Sequence, residues 1–379
     1  MLEAYCRGNS LHLNSMIKQV EMISTLTALS VIIRSMGNKD AANKRLQQEL
    51  QIRKEEMQHM CSPLNPTDCL GELLVEECRV LGSAKLPLRL TWRNPEVLAQ
   101  ISTPTHQLIF KNGDDMRQDM LTLQVMRIMD SKWKHQNIDF CMTLYEVLPM
   151  GRNIGLIHVV QNCQTIFHIQ CEAKQMGSSF NMDVNLLNKY IYQKCSNDSK
   201  QYMECVDRFK FSLAGYCIAT YVIGIKDRHQ DNIMLAKDGR IFHIDFGHFL
   251  GHTKRKLGIN RERTEFVLTD HFLYVISRGR SDFRSTHDYE RFRESCVKGF
   301  MIIYHNARFF IALFRLMLCM GLPELSVQDI EFLRTSLMYE QMERKDVQVA
   351  FQHIFEDVIK SGWFTSINWF FHSVKHLSA

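Results

Sequence analysis

Residues 225–256 read IKDRHQDNIMLAKDGRIFHIDFGHFLGHTKRK, and this stretch decides how the whole chain is read. It crowds four Asp, four His, one Asn and one Gln around an apolar run. Asp238-Gly239, between NIMLA and RIFHIDF, marks a tight hairpin turn. Three readings suit so many ionisable groups: a metal-hydrolase site, a phosphoryl-transfer site, and a polar loop without chemistry.

Asp227, Asn232 and Asp245 separate these readings. Phosphoryl transfer is mostly positioning plus charge neutralisation. It needs oxygen ligands for a Mg²⁺ that bridges nucleotide phosphates, and a residue that orients the attacking hydroxyl. An Asp, an Asn five residues on, an apolar strand pair and then D-F-G supply those parts. Protein kinases order them H-R-D-x-x-x-x-N and then D-F-G. Here the order is D-R-H-Q-D-N and then D-F-G-H, so the His and Asp exchange places about the Arg. Either motif alone is weak; both together, with a hairpin between them, point to catalysis. The hydrolase reading lacks H-E-x-x-H or any comparable His spacing.

Working outward, 379 residues suffice for one large domain or two lobes with a sizeable core. Apolar residues make up 45% and charged residues 23%, as in ordinary globular chains. The balance of 46 Lys plus Arg against 41 Asp plus Glu is too mild to argue for nucleic acid, so an anionic partner must be sought in local patches. The twelve cysteines form no C-x-x-C pair, which argues against a zinc site or a disulfide framework and for a reducing, cytoplasmic setting. Without a long apolar run or a signal-peptide pattern, the expectation is a chain that is not integral to a membrane.

Three textures follow one another. Residues 1–60 are helical, with Ile17, Val20, Ile23, Leu26 and Leu29 through Ile33 at helical spacing; SPLNP (62–66) ends this segment. From 61 to 159 β-like runs dominate: 73–81, 86–92, 106–112, 141–150 and 155–161, interrupted by a helix over 114–133. From 160 to 379 helices prevail, with spans expected at 288–319, 326–341, 344–360 and 365–377 around the one strand pair of the opening stretch. The expected class is α+β.

D-R-H-x-x-N followed by H-I-D-F-G-H resembles the phosphoinositide 3-kinase family. SPLNP, VEECRVLGSAKLPLRLTW, LIFKNGDDMRQDML and WFFHSVKH resemble class I catalytic subunits, so the likeness covers nearly the whole chain. The resemblance implies a bilobal, protein-kinase-like lipid kinase fold, with an antiparallel sheet in a β-rich N-lobe (61–159) and a mainly helical C-lobe (160–379). Residues 1–60 would close a helical domain, with further modules upstream. The catalytic loop would be 226–232, the activation segment 245–270, and helix 365–377 would face the membrane.

The implied activity is transfer of phosphate from ATP, with Mg²⁺, to the 3-hydroxyl of a phosphoinositide. Ser83 and Lys85 would hold the β- and γ-phosphates, and Lys111 the α-phosphate. Asp119 would orient Lys111 or line the inner pocket beside Tyr145. The backbone of His158 and Val160 would bind adenine, with Ile109, Ile157, Met234 and Ile244 against the ring. Asn232 and Asp245 are the implied metal ligands. His229 would face the γ-phosphate, and either Asp227 or His248 would act as base, an imidazole being suited to proton transfer near neutral pH. Arg228 is expected to be structural, as are His243 and His252. Lys254, Arg255, Lys256, Arg261 and Arg263, against the single Glu262, form a basic cluster that would read the phosphates of phosphatidylinositol 4,5-bisphosphate. Trp363, Ile367, Phe370, Phe371 and Val374, with Lys375 and His376, suit a helix that docks onto lipid. The implied partners are an SH2-containing regulatory subunit and a Ras-type GTPase, with recruitment to the inner face of the plasma membrane and no nucleic acid.

The chain departs from the family pattern at Lys226, where Gly precedes the catalytic Asp, at Arg89, where an aromatic is common, and at His158, in place of a hinge Glu. Lys cannot easily adopt the positive φ open to Gly. Two other readings therefore stand beside the lipid kinase: a protein serine/threonine kinase of the same superfamily, and a catalytically weak scaffold.

Overall fold

The computed structural model describes residues 2–83, 85–175, 183–196, 198–252, 255–256, 259–260, 264–340 and 342–377; the side chains of 2, 5, 173–175, 255–256, 259–260 and 362–377 lie outside the description. The chain divides into two compact units, Met1–Leu121 with Tyr145–Gln161, and Thr122–Leu144 with Asn162–Ala379.

The first unit begins with helices α1 (Leu2–Gly8), α2 (Ser10–Arg34) and α3 (Lys39–Ile52). Asn9 and Asn38 cap α2 and α3, each accepting a main-chain N–H from the first turn with its side-chain oxygen. Strands β1 (Met60–Cys61), β2 (Cys69–Leu70), β3 (Arg79–Val80), β4 (Leu88–Arg93) and β5 (Thr105–Asn112) follow; α4 (Arg117–Lys134) then runs across the division, and β6 (Val147–Gly151) and β7 (Ile154–His158) return to the first unit. β3, β4, β5, β7 and β6 form one antiparallel sheet in that order. Leu88, Leu90 and Trp92 alternate along β4 into a core shared with Met22, Leu26, Leu29 and Ile33 of α2. Each such side chain contributes roughly 1.5–3 kcal/mol on burial. Trp92 also donates its indole N–H to the Met57 carbonyl at 2.7 Å.

Three expectations change here, the first being the β-like run 73–81, which is a short 3-10 turn at Val75–Glu77 and strand only at Arg79–Val80. α2 is long and apolar enough, by length and composition, to cross a membrane, which runs against the absence of any such segment in the sequence reading. Its Met22–Ile33 face is nonetheless buried in the core of its own unit. In the β-like run 141–150 only its end is strand, from Val147.

The second unit opens with β8 (Cys163–Thr165), α5 (Ile166–Gln175), α6 (Leu186–Lys194) and α7 (Ser199–Ile223), followed by β9 (Ile233–Ala236), β10 (Ile241–His243), β11 (Arg255–Lys256) and β12 (Ile259–Asn260). Helices α8 (Asp270–Ile276), α9 (His287–His305), α10 (Ala307–Met317), α11 (Asp329–Ser336) and α12 (Arg344–Leu377) complete it. α7 is buried along Ser212–Ile223 and forms the axis of this unit. β9 and β10 pair antiparallel about Asp238-Gly239, Leu235 opposite Ile241 and Ile233 opposite His243. Gly239 has φ +94°, and a Cβ there would meet the Cys205 carbonyl oxygen at 2.2 Å, so the turn admits no side chain. β8 pairs with β9 as a third strand that the sequence reading lacked. The expected helix 288–319 is two helices, α9 and α10, bent by 63° about Asn306. The expected pair 344–360 and 365–377 is the single helix α12.

Candidate active site

α7 stops at Gly224, whose φ of +64° turns the chain out of the helix. The residues that follow run beside the segment after D-F-G and bond to it. Leu250 donates to the Ile223 carbonyl (2.8 Å), Gly251 to Gly224 (3.0 Å) and Lys226 to His248 (3.1 Å). A Cβ on Gly224 would lie 2.6 Å from the Gly251 nitrogen and 2.3 Å from the Phe332 ring, so the close approach depends on glycine. The segment after α7 and the D-F-G-H turn are therefore one hydrogen-bonded frame.

Within that frame Asp227 and Asp245 both adopt left-handed backbone, with φ of +61° and +60°. Asp and Asn enter this region more readily than other non-glycine residues, yet the conformation costs on the order of 1–3 kcal/mol and persists only where neighbours hold it. Arg228 is one such neighbour. Its buried guanidinium donates to main-chain carbonyls of Lys226 (3.0 Å), Ile244 (2.6 Å) and Asp245, and so ties the loop to D-F-G. Arg228 thus has the structural role expected of it. Asn232 is buried, and its Nδ2 donates to the Asp227 carbonyl at 2.9 Å, which assigns Oδ1 as the amide's remaining group. Ile244 donates its N–H to the Asn232 carbonyl at 3.0 Å, setting the Asn beside the strand that leads into Asp245. His229 accepts the Asp231 N–H on Nδ1 at 3.3 Å, so in the neutral ring Nε2 carries the proton.

His248 is about one-quarter exposed, and its Nδ1 lies 2.7 Å from Glu324 Oε1. The other oxygen of Glu324 accepts the N–H of Phe249 at 3.2 Å. Sequence reasoning missed Glu324: it lies 76 residues downstream, in a GLPEL turn that carries no motif of its own. His252 makes a second such pair, Nε2 to Asp329 Oδ1 at 2.8 Å. His243 is buried, stacks on Tyr216 with centroids 4.9 Å apart, and is held neutral because burial, assisted by Arg228, lowers its pKa well below the ordinary value.

Lys226 keeps a backbone outside the left-handed region, so replacing Gly here does not strain the loop. Its side chain is nearly buried; Nζ lies 3.3 Å from the Thr264 carbonyl and 3.8 Å from Glu265 Oε2. Lys226 therefore bridges the segment after α7 to the residues that lead into α8.

The remaining nucleotide candidates are divided between the units. In the first, Ser83 and Lys85 are exposed in the turn between β3 and β4, where Leu86 donates to the Ser83 carbonyl (2.9 Å) and Arg34 to that of Lys85 (3.2 Å). Lys111 sits near the end of β5, and the carboxylate beside its Nζ is that of Asp114, at 4.0 Å; Asp119 lies in the first turn of α4. Ile109 pairs with Ile157 and Arg89 across the sheet, and Tyr145 is buried. His158 donates its N–H to the Glu146 carbonyl at 2.9 Å, so what it can offer a purine is its own carbonyl; burial lowers its imidazole pKa. Val160 follows, partly buried, near the end of this unit. In the second unit, Met234 and Ile244 are both half-buried, Met234 in mid-sheet between Phe242 and Thr165. Of the basic cluster, Arg255 and Lys256 lie on β11, paired with Asn260 and Ile259; their side chains, and Lys254, Arg261 and Arg263 altogether, lie outside the described residues. So do the side chains of the aromatic face at 363–374.

Comparison with known proteins agrees with this geometry. The profile of the family described as phosphatidylinositol 3- and 4-kinase matches residues 105–327. Over 99% of its length the chain is 43% identical to phosphatidylinositol 3-kinase age-1 of Caenorhabditis elegans, covering 34% of that protein. It is 39% identical to phosphatidylinositol 3-kinase age-1 of Caenorhabditis briggsae, covering 32% of it. The chain thus spans about a third of the length of the curated relatives it matches. With the matched region reaching from β5 across the catalytic frame, the chain belongs to the phosphatidylinositol 3- and 4-kinase family.

Proposed function

We propose that this protein is a lipid kinase that transfers the γ-phosphate of ATP to the 3-hydroxyl of a phosphoinositide, with phosphatidylinositol 4,5-bisphosphate as the preferred acceptor at a membrane surface. One observation carries the reading. A single bonded frame presents two left-handed aspartates, a buried Asn with its amide nitrogen engaged, and a histidine against a carboxylate.

The residues fit a hard cation. Asn232 and Asp245 offer oxygen, and among the described residues no group of three or more His, Cys, Asp or Glu could hold a metal by itself. That suits Mg²⁺, which takes one or two protein oxygens and completes its shell with phosphates and water. When bound, it neutralises charge on the nucleotide phosphates. In this reading Asp227 orients the acceptor hydroxyl, His248 takes its proton, and His229 offers Nε2–H to the transferring phosphoryl group. Ser83, Lys85 and Lys111 hold the phosphates. Ile109, Tyr145, Met234 and Ile244 are the residues this reading assigns to the base, with the His158 carbonyl and the Val160 N–H as its hydrogen-bonding groups and Asp119 as the inner-pocket carboxylate. Lys254, Arg255, Lys256, Arg261 and Arg263 recognise the headgroup. Control by an SH2-containing subunit and a Ras-type GTPase, and recruitment to the plasma membrane through the end of α12, belong to the same reading.

The test supplies labelled ATP with vesicles of phosphatidylinositol, its 4-phosphate or its 4,5-bisphosphate, and with a generic protein substrate. Label should enter lipid, most of it with the bisphosphate. Replacing Lys254, Arg255 and Lys256 by Ala should remove bisphosphate turnover first and spare part of that on phosphatidylinositol. Label confined to protein would overturn the reading.

A further inference from the structure

Two histidines after D-F-G meet two carboxylates of the 322–329 turn, and the two pairs differ in polarity. His252 presents Nε2 to Asp329 Oδ1 at 2.8 Å. Asp329 in turn accepts the Ser326 N–H (2.7 Å) and hydroxyl (2.6 Å) on Oδ2, as a carboxylate that caps its own turn. His248 presents the other nitrogen, Nδ1, to Glu324 Oε1 at 2.7 Å. Glu324 uses Oε2 on the neighbouring Phe249 N–H, so its two oxygens grip ring and main chain together. Buried Leu322 and Leu325 flank it and anchor the turn. At about one-fifth exposure the carboxylate is only partly hydrated, while the ring keeps an exposed portion.

An ionised carboxylate only accepts hydrogen bonds, so Nδ1 must carry the proton in this pair. The neutral ring then has its lone pair on Nε2. A carboxylate on the far nitrogen holds the tautomer and orientation of an imidazole and stabilises the imidazolium formed when Nε2 takes a proton. His252, with Nε2 already engaged, lacks this arrangement.

We propose that Glu324 is the positioning residue for His248, holding the ring in the tautomer whose Nε2 accepts the proton of the attacking hydroxyl. The inference rests on the phosphoryl-transfer reading above. In the step, the acceptor O–H bond breaks with its proton passing to His248 Nε2. The oxygen forms a bond to the γ-phosphorus, and the bond from that phosphorus to the bridging oxygen breaks with its electron pair leaving on ADP. Nε2 afterwards returns the proton to solvent.

The experiment compares Glu324→Gln, Glu324→Asp, Asp329→Asn and His248→Gln in this chain, with phosphatidylinositol 4,5-bisphosphate vesicles and ATP. Glu324→Gln should lower kcat about 100-fold or more, the range for a positioned proton acceptor. Its KM values for ATP and lipid should stay within about twofold, since only the proton-transfer geometry is lost. Glu324→Asp should recover part of kcat. Asp329→Asn, which breaks the neighbouring pair but leaves this one, should stay near wild type. Glu324→Gln combined with His248→Gln should be no slower than His248→Gln alone, because the two residues act as a unit. Long-range proton–nitrogen spectra of the labelled chain should show His248 protonated on Nδ1, and on Nε2 in Glu324→Gln; this readout needs no turnover. An unchanged kcat in Glu324→Gln, equal losses in Glu324→Gln and Asp329→Asn, or multiplying losses in the double variant would overturn the proposal. A wild-type chain that phosphorylates no phosphoinositide would instead overturn the lipid-kinase reading on which it stands.

Discussion

Lys226 shows how a residue that breaks a pattern in sequence acquires a place in structure. Its backbone is ordinary, so a glycine is not required here for conformation. Its ammonium, nearly buried, reaches the Thr264 carbonyl and the Glu265 carboxylate. Lys226→Met should therefore cost about 1–3 kcal/mol, the range for losing a charged hydrogen bond and leaving its acceptor short. Lys226→Arg should lose less. Denaturant midpoints decide it, and a Met variant as stable as wild type would show that the bridge contributes nothing. Asp227 and Asp245 make the complementary point. Their motif positions were legible in the sequence, but their left-handed backbone was not, because Arg228 and the paired segments impose it from outside the motif.

Among the elements, α7 and α9 are joined by a buried charge. Lys210 is 1% exposed and pairs with Asp207 at 2.7 Å and with Asp288 at 2.8 Å, while Asp288 also takes Arg278 at 2.9 Å. Burial alone would raise the Asp288 pKa, but the Lys210 hydrogen bond and the nearby cations outweigh it and bring it below the ordinary value. A lowered folded pKa means that the contribution is complete above the ordinary aspartate value, about 3.9, and is lost as pH falls through the folded one. Asp288→Ala leaves the buried ammonium with Asp207 as its one remaining carboxylate, and should cost about 1–3 kcal/mol, the range for losing a hydrogen bond to a buried charged group. Lys210→Met removes that charge while Asp288 keeps Arg278, and should cost less. Urea unfolding at neutral pH gives the order, and the reverse order would contradict the lock. Local signals made other elements legible. The Asp238-Gly239 hairpin needs only its own four or five residues and was evident in sequence. β8 was not, because Cys163-Gln164-Thr165 has no apolar alternation and becomes a strand through pairing with β9. The bend at Asn306 likewise lacks a Pro or Gly to announce it.

At the scale of the whole molecule, the division of labour between a sheet-bearing unit and a helical unit was legible as a change of texture along the chain. What single-sequence reasoning could not supply was contact between distant segments. The Glu324–His248 pair spans 76 residues and the Trp133 bond to the Gly299 carbonyl spans 166. Neither leaves a periodic or motif signature. The catalytic frame assembles almost entirely within the second unit, whereas the expected phosphate-binding lysines belong to the first. The chemistry proposed for this frame is transfer of phosphate to the 3-hydroxyl of an inositol lipid. The direct measurement is positional. Vesicles of phosphatidylinositol 4,5-bisphosphate are incubated with the chain and labelled ATP, the lipid is deacylated, and the headgroups are separated by chromatography. Label is expected on the 3-position with the wild-type chain and none with Asp245→Asn, whose side chain suits the same backbone. Label at another ring position, or undiminished label with Asp245→Asn, would contradict it.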